Sequence, residues 1–273
     1  MRFYSVKSLF ALCFAVAFVG CTATTPPVPK VAEVEVLYNT GMDLLEAGQF
    51  PKAVTSFEEL ERQHPYSGWA TRGQMMIAFS QFRMRDYDES LATIDQFIRL
   101  HPGHKNLDYM YYLRGLNSYY RISDVTRDQA HTIEALQAFE ELVRRFPSSK
   151  YSRDAKLKIT LCNDHIAGQE MNIGRYYQNA NQHLAAINRF RNVADNYQKT
   201  AQVAEALYRL TESYLALGLE DDAKRSAAIL GYNYPDTVWY KDAYTLMVGK
   251  ELVTEAERAS WAGKFAKGLK DLF

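Results

Sequence analysis

One spacing recurs five times along this chain, and it limits the fold more than any other feature. A small residue is followed twelve positions on by another, then after four by a large apolar one, then after eight by proline. Gly41, Ala53, Phe57 and Pro65 keep that spacing, and so do Ala78, Ser90, Ile94 and Pro102. Gly115, Ala135, Phe139 and Pro147 keep it with eight extra residues in the first interval. Gly174, Ala186 and Phe190 follow, with Gln198 where proline is expected. Thr211, Ala223, Ala227 and Pro235 complete the set.

Each position has a physical reason. Small residues let two antiparallel helices approach closely, and the large apolar side chain packs between them. Proline ends the second helix because it cannot continue one. Turn signals lie between the helices at Glu46–Phe50, Met84–Tyr87 and Ala216–Asp221. A skeleton of this kind, about 34 residues long, is that of the tetratricopeptide repeat. The expected fold is all-α: a superhelix of about five helix-turn-helix repeats with a C-terminal helix. Repeats of this kind stack on their neighbours into a curved solenoid. The first helix of each pair lines the concave face, and such a groove usually holds a peptide segment.

The departures carry information too. The insertion around Ser123–Thr132 is polar and reads as a surface loop outside the solenoid core. Lys150 to Ala180 reads as one helix longer than a repeat requires, dividing a front half from a back half. After Pro235 the pattern lapses. Trp261, Phe265, Leu269 and Leu272 then fall on one helical face, with Lys264, Lys267 and Lys270 opposite. That segment reads as a cap on the last repeat or as a docking helix for a partner or a lipid surface.

The start of the chain reads as an address. Arg2 and Lys7 precede eleven apolar residues, Leu9 to Val19, which is the layout of a secretory signal. The run is too short to span a bilayer, which takes about 20 residues. "FVGC" (Phe18–Cys21) resembles the bacterial lipobox, in which the signal is cut before a cysteine that carries a lipid. Thr22, in place of Asp, resembles an outer-membrane address. Thr22 to Lys30 holds three prolines and, fully extended, spans about 30 Å. The expected division is a signal at 1–20, a lipidated tether at 21–30, repeats one to three at 31–149, the long helix with repeats four and five at 150–235, and the C-terminal helix at 236–273.

Loss of residues 1–20 from the 273 leaves 253, enough for a sizeable core. It also leaves 30 basic and 32 acidic side chains, a formal charge of −2 that gives no electrostatic case for nucleic acid. Cys13 would leave with the signal and Cys21 would carry lipid, so Cys162 has no partner for an internal disulfide. Cys162 and His165 are half of a metal site without a second pair at ligand spacing, and His101 and His104 read as the exposed end of repeat two. No GxSxG, HExxH or Walker loop occurs. The expectation is a protein without catalytic residues, metal or cofactor, apart from the covalent lipid on Cys21. Tyr109, Tyr111, Tyr112, Tyr119 and Tyr120 form an aromatic run in the first helix of repeat three. At least half must pack between repeats. Tyr109, Tyr112 and Tyr119 are the candidates to line a groove, since tyrosine offers apolar area with a polar tip.

Several longer stretches add a resemblance. "IDQFIRLHPGHKNLDYMYYLRGL" (Ile94–Leu116), "RDAKLKI" (Arg153–Ile159), "GQEMNIGRYY" (Gly168–Tyr177) and "AAINRF" (Ala185–Phe190) resemble the BamD family of outer-membrane assembly lipoproteins. The resemblance covers nearly the whole chain after the signal. It implies a non-enzymatic, lipid-anchored scaffold on the periplasmic face of the outer membrane. The partners implied are the periplasmic domains of a barrel-forming subunit, small accessory lipoproteins and unfolded outer-membrane proteins. It implies precursor binding in the front half and barrel-subunit docking in the back half, where Arg189 and Arg191 are the candidate contacts. The other reading is a repeat lipoprotein serving as adaptor in another envelope process, such as cell-wall enzyme or pilus assembly.

Overall fold

The computed structural model describes residues 32–252. The expected signal, the tether with Cys21 and the face bearing Trp261 and Phe265 lie outside them. Among the described residues every regular element is a helix. Five pairs follow one another: α1 (Val34–Glu46) with α2 (Phe50–Gln63), α3 (Gly68–Met84) with α4 (Tyr87–Leu100), α5 (Leu107–Tyr119) with α6 (Ala130–Arg145), α7 (Lys150–Asn179) with α8 (His183–Asn196), and α9 (Val203–Ala216) with α10 (Glu220–Asn233). A further helix, α11 (Val238–Gly249), packs on α9 and α10. None of the described helices is long and apolar enough to cross a membrane.

The spacing in the sequence is a packing rule in space. A β-carbon on Gly41 or Gly115 would lie 2.5 Å from the ring of Phe57 or Phe139. Phe57, Phe139 and Phe190 are fully buried. In the second pair the same volume is shared between Ala78 and Ile94, both 0% exposed. In the fifth pair both positions are modest, Thr211 and Ala227. The next joint, between α10 and α11, repeats the large-against-small rule: Tyr240 sits against Gly231, 2.4 Å from where a β-carbon would be. Interiors close-pack, so where the ring is bulky its neighbour across the joint is glycine.

Four pairs close with one turn. Gly48, Arg85, Asn181 and Gly218, each seven past the small residue, have φ of 72°, 67°, 58° and 72°. The next amide reaches five residues back: Gln49 N to Leu44 O (2.8 Å), then Asp86 N to Gln81 O, Gln182 N to Tyr177 O and Leu219 N to Tyr214 O (2.9 Å each). This closure satisfies helix-end carbonyls and reverses the chain within two residues. α11 ends the same way, with Glu251 at φ 58° and Leu252 N donating to Met247 O at 3.1 Å.

Proline has a companion that sequence reasoning missed. Two residues after Pro65, Pro147 and Pro235 stand Ser67, Ser149 and Thr237, whose side chains cap α3, α7 and α11. One helix ends and the next is capped within a few residues.

The 30-residue α7 belongs to two cores. Ala155 and Cys162 pack with α3 to α6, whereas Ala167 and Met171 pack with α8 to α11. A third cluster, around Phe57, Leu60 and Ile77, joins α1 to α3.

The insertion is a loop with Asp124, Thr126, Arg127 and Asp128 exposed, as expected, but its C-terminal end is anchored in the solenoid. It begins past Tyr119 and runs to Gln129, which is 4% exposed, and Thr132 is 1% exposed. Its polar composition reflects internal bonding, with Gln129 Nε2 donating to the Arg127 carbonyl at 3.0 Å. It packs on α7, where Val125 lies against Gly168.

Candidate functional site

α5 and α7 hold the three candidate tyrosines in different ways. The Tyr112 ring stacks on Tyr151 of α7, centroids 5.0 Å apart and planes 20° from parallel. Its hydroxyl donates to Asp154 Oδ2 at 2.5 Å, and Lys158 Nζ, one turn on, pairs with the same oxygen at 2.9 Å. Burial, then the bond to Asp154 and its charge, push the Tyr112 pKa well above the ordinary tyrosine value. Burial opposes ionisation of Asp154, but the bonds from Tyr112 and Lys158 outweigh it and hold the carboxyl below its usual range. Tyr109 lies 5.4 Å from Tyr151, and burial first, then Tyr151, raises its pKa. Tyr109 and Tyr112 are therefore engaged in joining α5 to α7.

Tyr119 is placed otherwise. It meets Phe139 edge-on at 6.0 Å, and Lys158 Nζ lies 5.2 Å from its ring centre, a cation–π distance. Tyr119 borders a cleft of about 540 Å³ with Ile122, Val125, Leu161, Gly168 and Arg175. Leu161 is 56% exposed. Polar residues, Asp164, His165, Asn172 and Gln202, line it beside the apolar ones, a mixture found in ligand grooves. Sequence reasoning missed Tyr151, Asp154 and Lys158. Their signal was the helical spacing of 151, 154 and 158 along one face.

Arg189 and Arg191 do not form one patch. Residues two apart on a helix point about 200° apart. Arg189 Nη1 pairs with Glu170 Oε2 of α7 at 3.2 Å. Arg191 Nη2 donates to the Tyr214 hydroxyl of α9 at 2.6 Å. Arg191 also borders a cleft of about 780 Å³ between α8, α9 and α10, beside Asp195, Asp222, Arg225 and Tyr234. That cleft has mixed charge around the buried Tyr214.

A second network on α9 escaped sequence reasoning. Glu205 Oε1 takes Arg175 Nη1 at 2.9 Å and Arg209 Nε at 3.3 Å, and Arg209 Nη1 reaches Glu212 Oε2 at 3.0 Å. Arg209 also lies 5.8 Å from the Trp239 ring. The three- and four-residue spacing of 205, 209 and 212 was its signal.

The remaining candidates are placed by packing. Cys162 is buried in the front core, and burial raises its pKa to about 11. His165 Nδ1 lies 2.8 Å from Gln129 Oε1. His101 and His104 both pack on Phe97, at 5.0 and 5.3 Å. Among the described residues no three His, Cys, Asp or Glu side chains gather to hold a metal ion.

The five stacked helix pairs define a helical-repeat protein of the tetratricopeptide type. A family model described as "Outer membrane lipoprotein" matches residues 31–230. An outer membrane protein assembly factor BamD from Caulobacter vibrioides is 43% identical over 243 residues, 88% of this chain and 80% of the relative. Another from Rickettsia prowazekii is 44% identical over 228 residues, 84% of this chain and 91% of the relative. This chain belongs to the BamD family of outer membrane protein assembly factors. Among solved structures, the TPR2AB domain of yeast Sti1 in complex with pHSP90 covers 85% of this chain and 87% of its own, at TM-score 0.44 and 11% identity.

Proposed function

We propose that this protein is a non-enzymatic scaffold of outer-membrane β-barrel assembly, anchored by lipid on Cys21 at the periplasmic face. Family membership over most of the chain is the observation that carries the reading. Buried acyl chains contribute about 0.8 kcal/mol per methylene, and two or more are needed for a lasting anchor. The tether then lets the solenoid stand clear of the lipid. Tyr119 of the front half, with the cleft it borders at the joint between the halves, receives unfolded outer-membrane precursors. The back half docks the periplasmic domains of the barrel-forming subunit, with Arg191 rather than Arg189 at the more open contact. A solenoid suits two partners because its contacts run mostly between neighbouring repeats.

The test is a paired binding assay on folded variants. Tyr119→Ala reduces precursor binding and spares the barrel subunit. Arg191→Glu weakens the barrel subunit and spares the precursor, as expected where a few residues dominate an interface. The reverse pattern overturns the assignment of halves, and no effect from either overturns both contacts.

A further inference from the structure

The middle of α7 is held from both halves of the solenoid. On the front side the chain between α5 and α6 folds around Gln129. The two N–H groups of its Nε2 are shared among the carbonyls of Asp124 (3.3 Å), Val125 (3.4 Å) and Arg127 (3.0 Å), the last the shortest. Its Oε1 accepts from Thr132 Oγ1 at 2.7 Å and from His165 Nδ1 at 2.8 Å. An amide oxygen only accepts, so His165 carries a proton on Nδ1. One turn further along α7, Gln169 Nε2 donates to the Arg127 carbonyl at 3.0 Å. Between them lies Gly168, where a β-carbon would come 3.3 Å from Val125 Cγ2. On the back side, Asp164 Oδ1 accepts from Ala201 N at 3.0 Å, at the lead-in to α9.

These bonds fall where the hydrophobic packing changes hands. Cys162 belongs to the front core and Ala167 to the rear one. Side-chain packing sets a preferred crossing angle between helices, with a scatter of about 15–20°. Hydrogen bonds have strict distance and angle requirements, and here they run to both sides from the adjacent residues 164 and 165.

We propose that residues 164–169 of α7 act as a clamp that sets the angle between the front and back halves, with Gln129 and Asp164 as its positioning residues. The cleft beside Tyr119 lies within this joint. Ile122 and Val125 come from the crossover, His165 and Gly168 from α7, and Gln202 from the start of α9. A change in angle therefore changes the width of the cleft, and a ligand seated there feeds back on the angle by linkage. That this ligand is a precursor, and that the angle governs how it is presented to the barrel subunit, rests on the function proposed above.

The test uses the full chain in detergent micelles, spin-labelled at Glu58→Cys on α2 and Lys224→Cys on α10, both exposed positions. The distance distribution is measured by electron–electron resonance. The parent gives a narrow distribution. The Gln129→Ala/Asp164→Ala variant gives one about twofold broader, as hinge motions do when a joint loosens, with helical circular dichroism unchanged. An unchanged width in that variant overturns the proposal. Should the double variant lose helicity, Asp164→Ala alone carries the test with the same two outcomes, because that bond is exposed. The distances need no partner. Failure of the clamp and failure of the partner assignment are thus told apart.

Discussion

Gly174 of α7 lies so close to Phe190 of α8 that a β-carbon on it would stand 2.4 Å from the ring. Phe190 is fully buried and cannot swing aside. Gly174→Ala therefore forces the helices apart, at a cost of about 1–3 kcal/mol for overpacking. Gly103→Ala, which meets nothing within 4 Å, is the control. Urea melts of both should show the first shifted and the second within about 0.5 kcal/mol of the parent.

Tyr112→Phe keeps the stacked ring and removes the bond to Asp154. The expected loss is about 1 kcal/mol, the net worth of one hydrogen bond. Its pH dependence has two sides. The folded Asp154 carboxyl is depressed, so its contribution is full above the ordinary carboxylate range and fades as pH falls below about 4. The folded Tyr112 hydroxyl is raised, so its contribution fades as pH climbs past about 10. The gap between parent and variant should be widest between those limits, and a gap flat with pH in chemical melts would contradict the pairing.

Cys162 is 0% exposed, and burial lifts its pKa to about 11. The thiolate is the reactive form. A maleimide should leave Cys162 unlabelled in the folded protein at neutral pH and label it fully in denaturant. Rapid labelling without denaturant would show that α7 opens locally at that point.

The proposed lipid on Cys21 gives a fourth expectation. Cys21→Ala should yield unprocessed or soluble chain, read by membrane fractionation and intact mass. Normal mass with outer-membrane fractionation would exclude Cys21 as the anchor.

The helix pairs were legible because the contacts that make them are local. Gly41 and Phe57 are sixteen residues apart, and their size complementarity is written at fixed spacing. The crossover was not legible for the opposite reason. Gln129 finds His165 from 36 residues away. Its neighbours Asp124, Thr126 and Asp128 are exposed, as their polarity suggests, and nothing in them announces the buried Gln129. The tyrosines were legible as a cluster but not as individuals. Only the fold shows that Tyr112 is taken up by Asp154 while Tyr119 reaches a cleft. Arg189 and Arg191 illustrate the same limit: adjacency in sequence conceals partners on different helices, Glu170 and Tyr214.

The most direct measurement is purification of the full-length, affinity-tagged chain from detergent-solubilised membranes, with its companions identified by mass spectrometry. The barrel-forming assembly subunit should co-purify in near-stoichiometric amount, together with accessory lipoproteins, and Arg191→Glu should lower the yield of that subunit. Recovery of pilus-assembly or cell-wall enzymes in its place, with no barrel-forming subunit, would contradict the account.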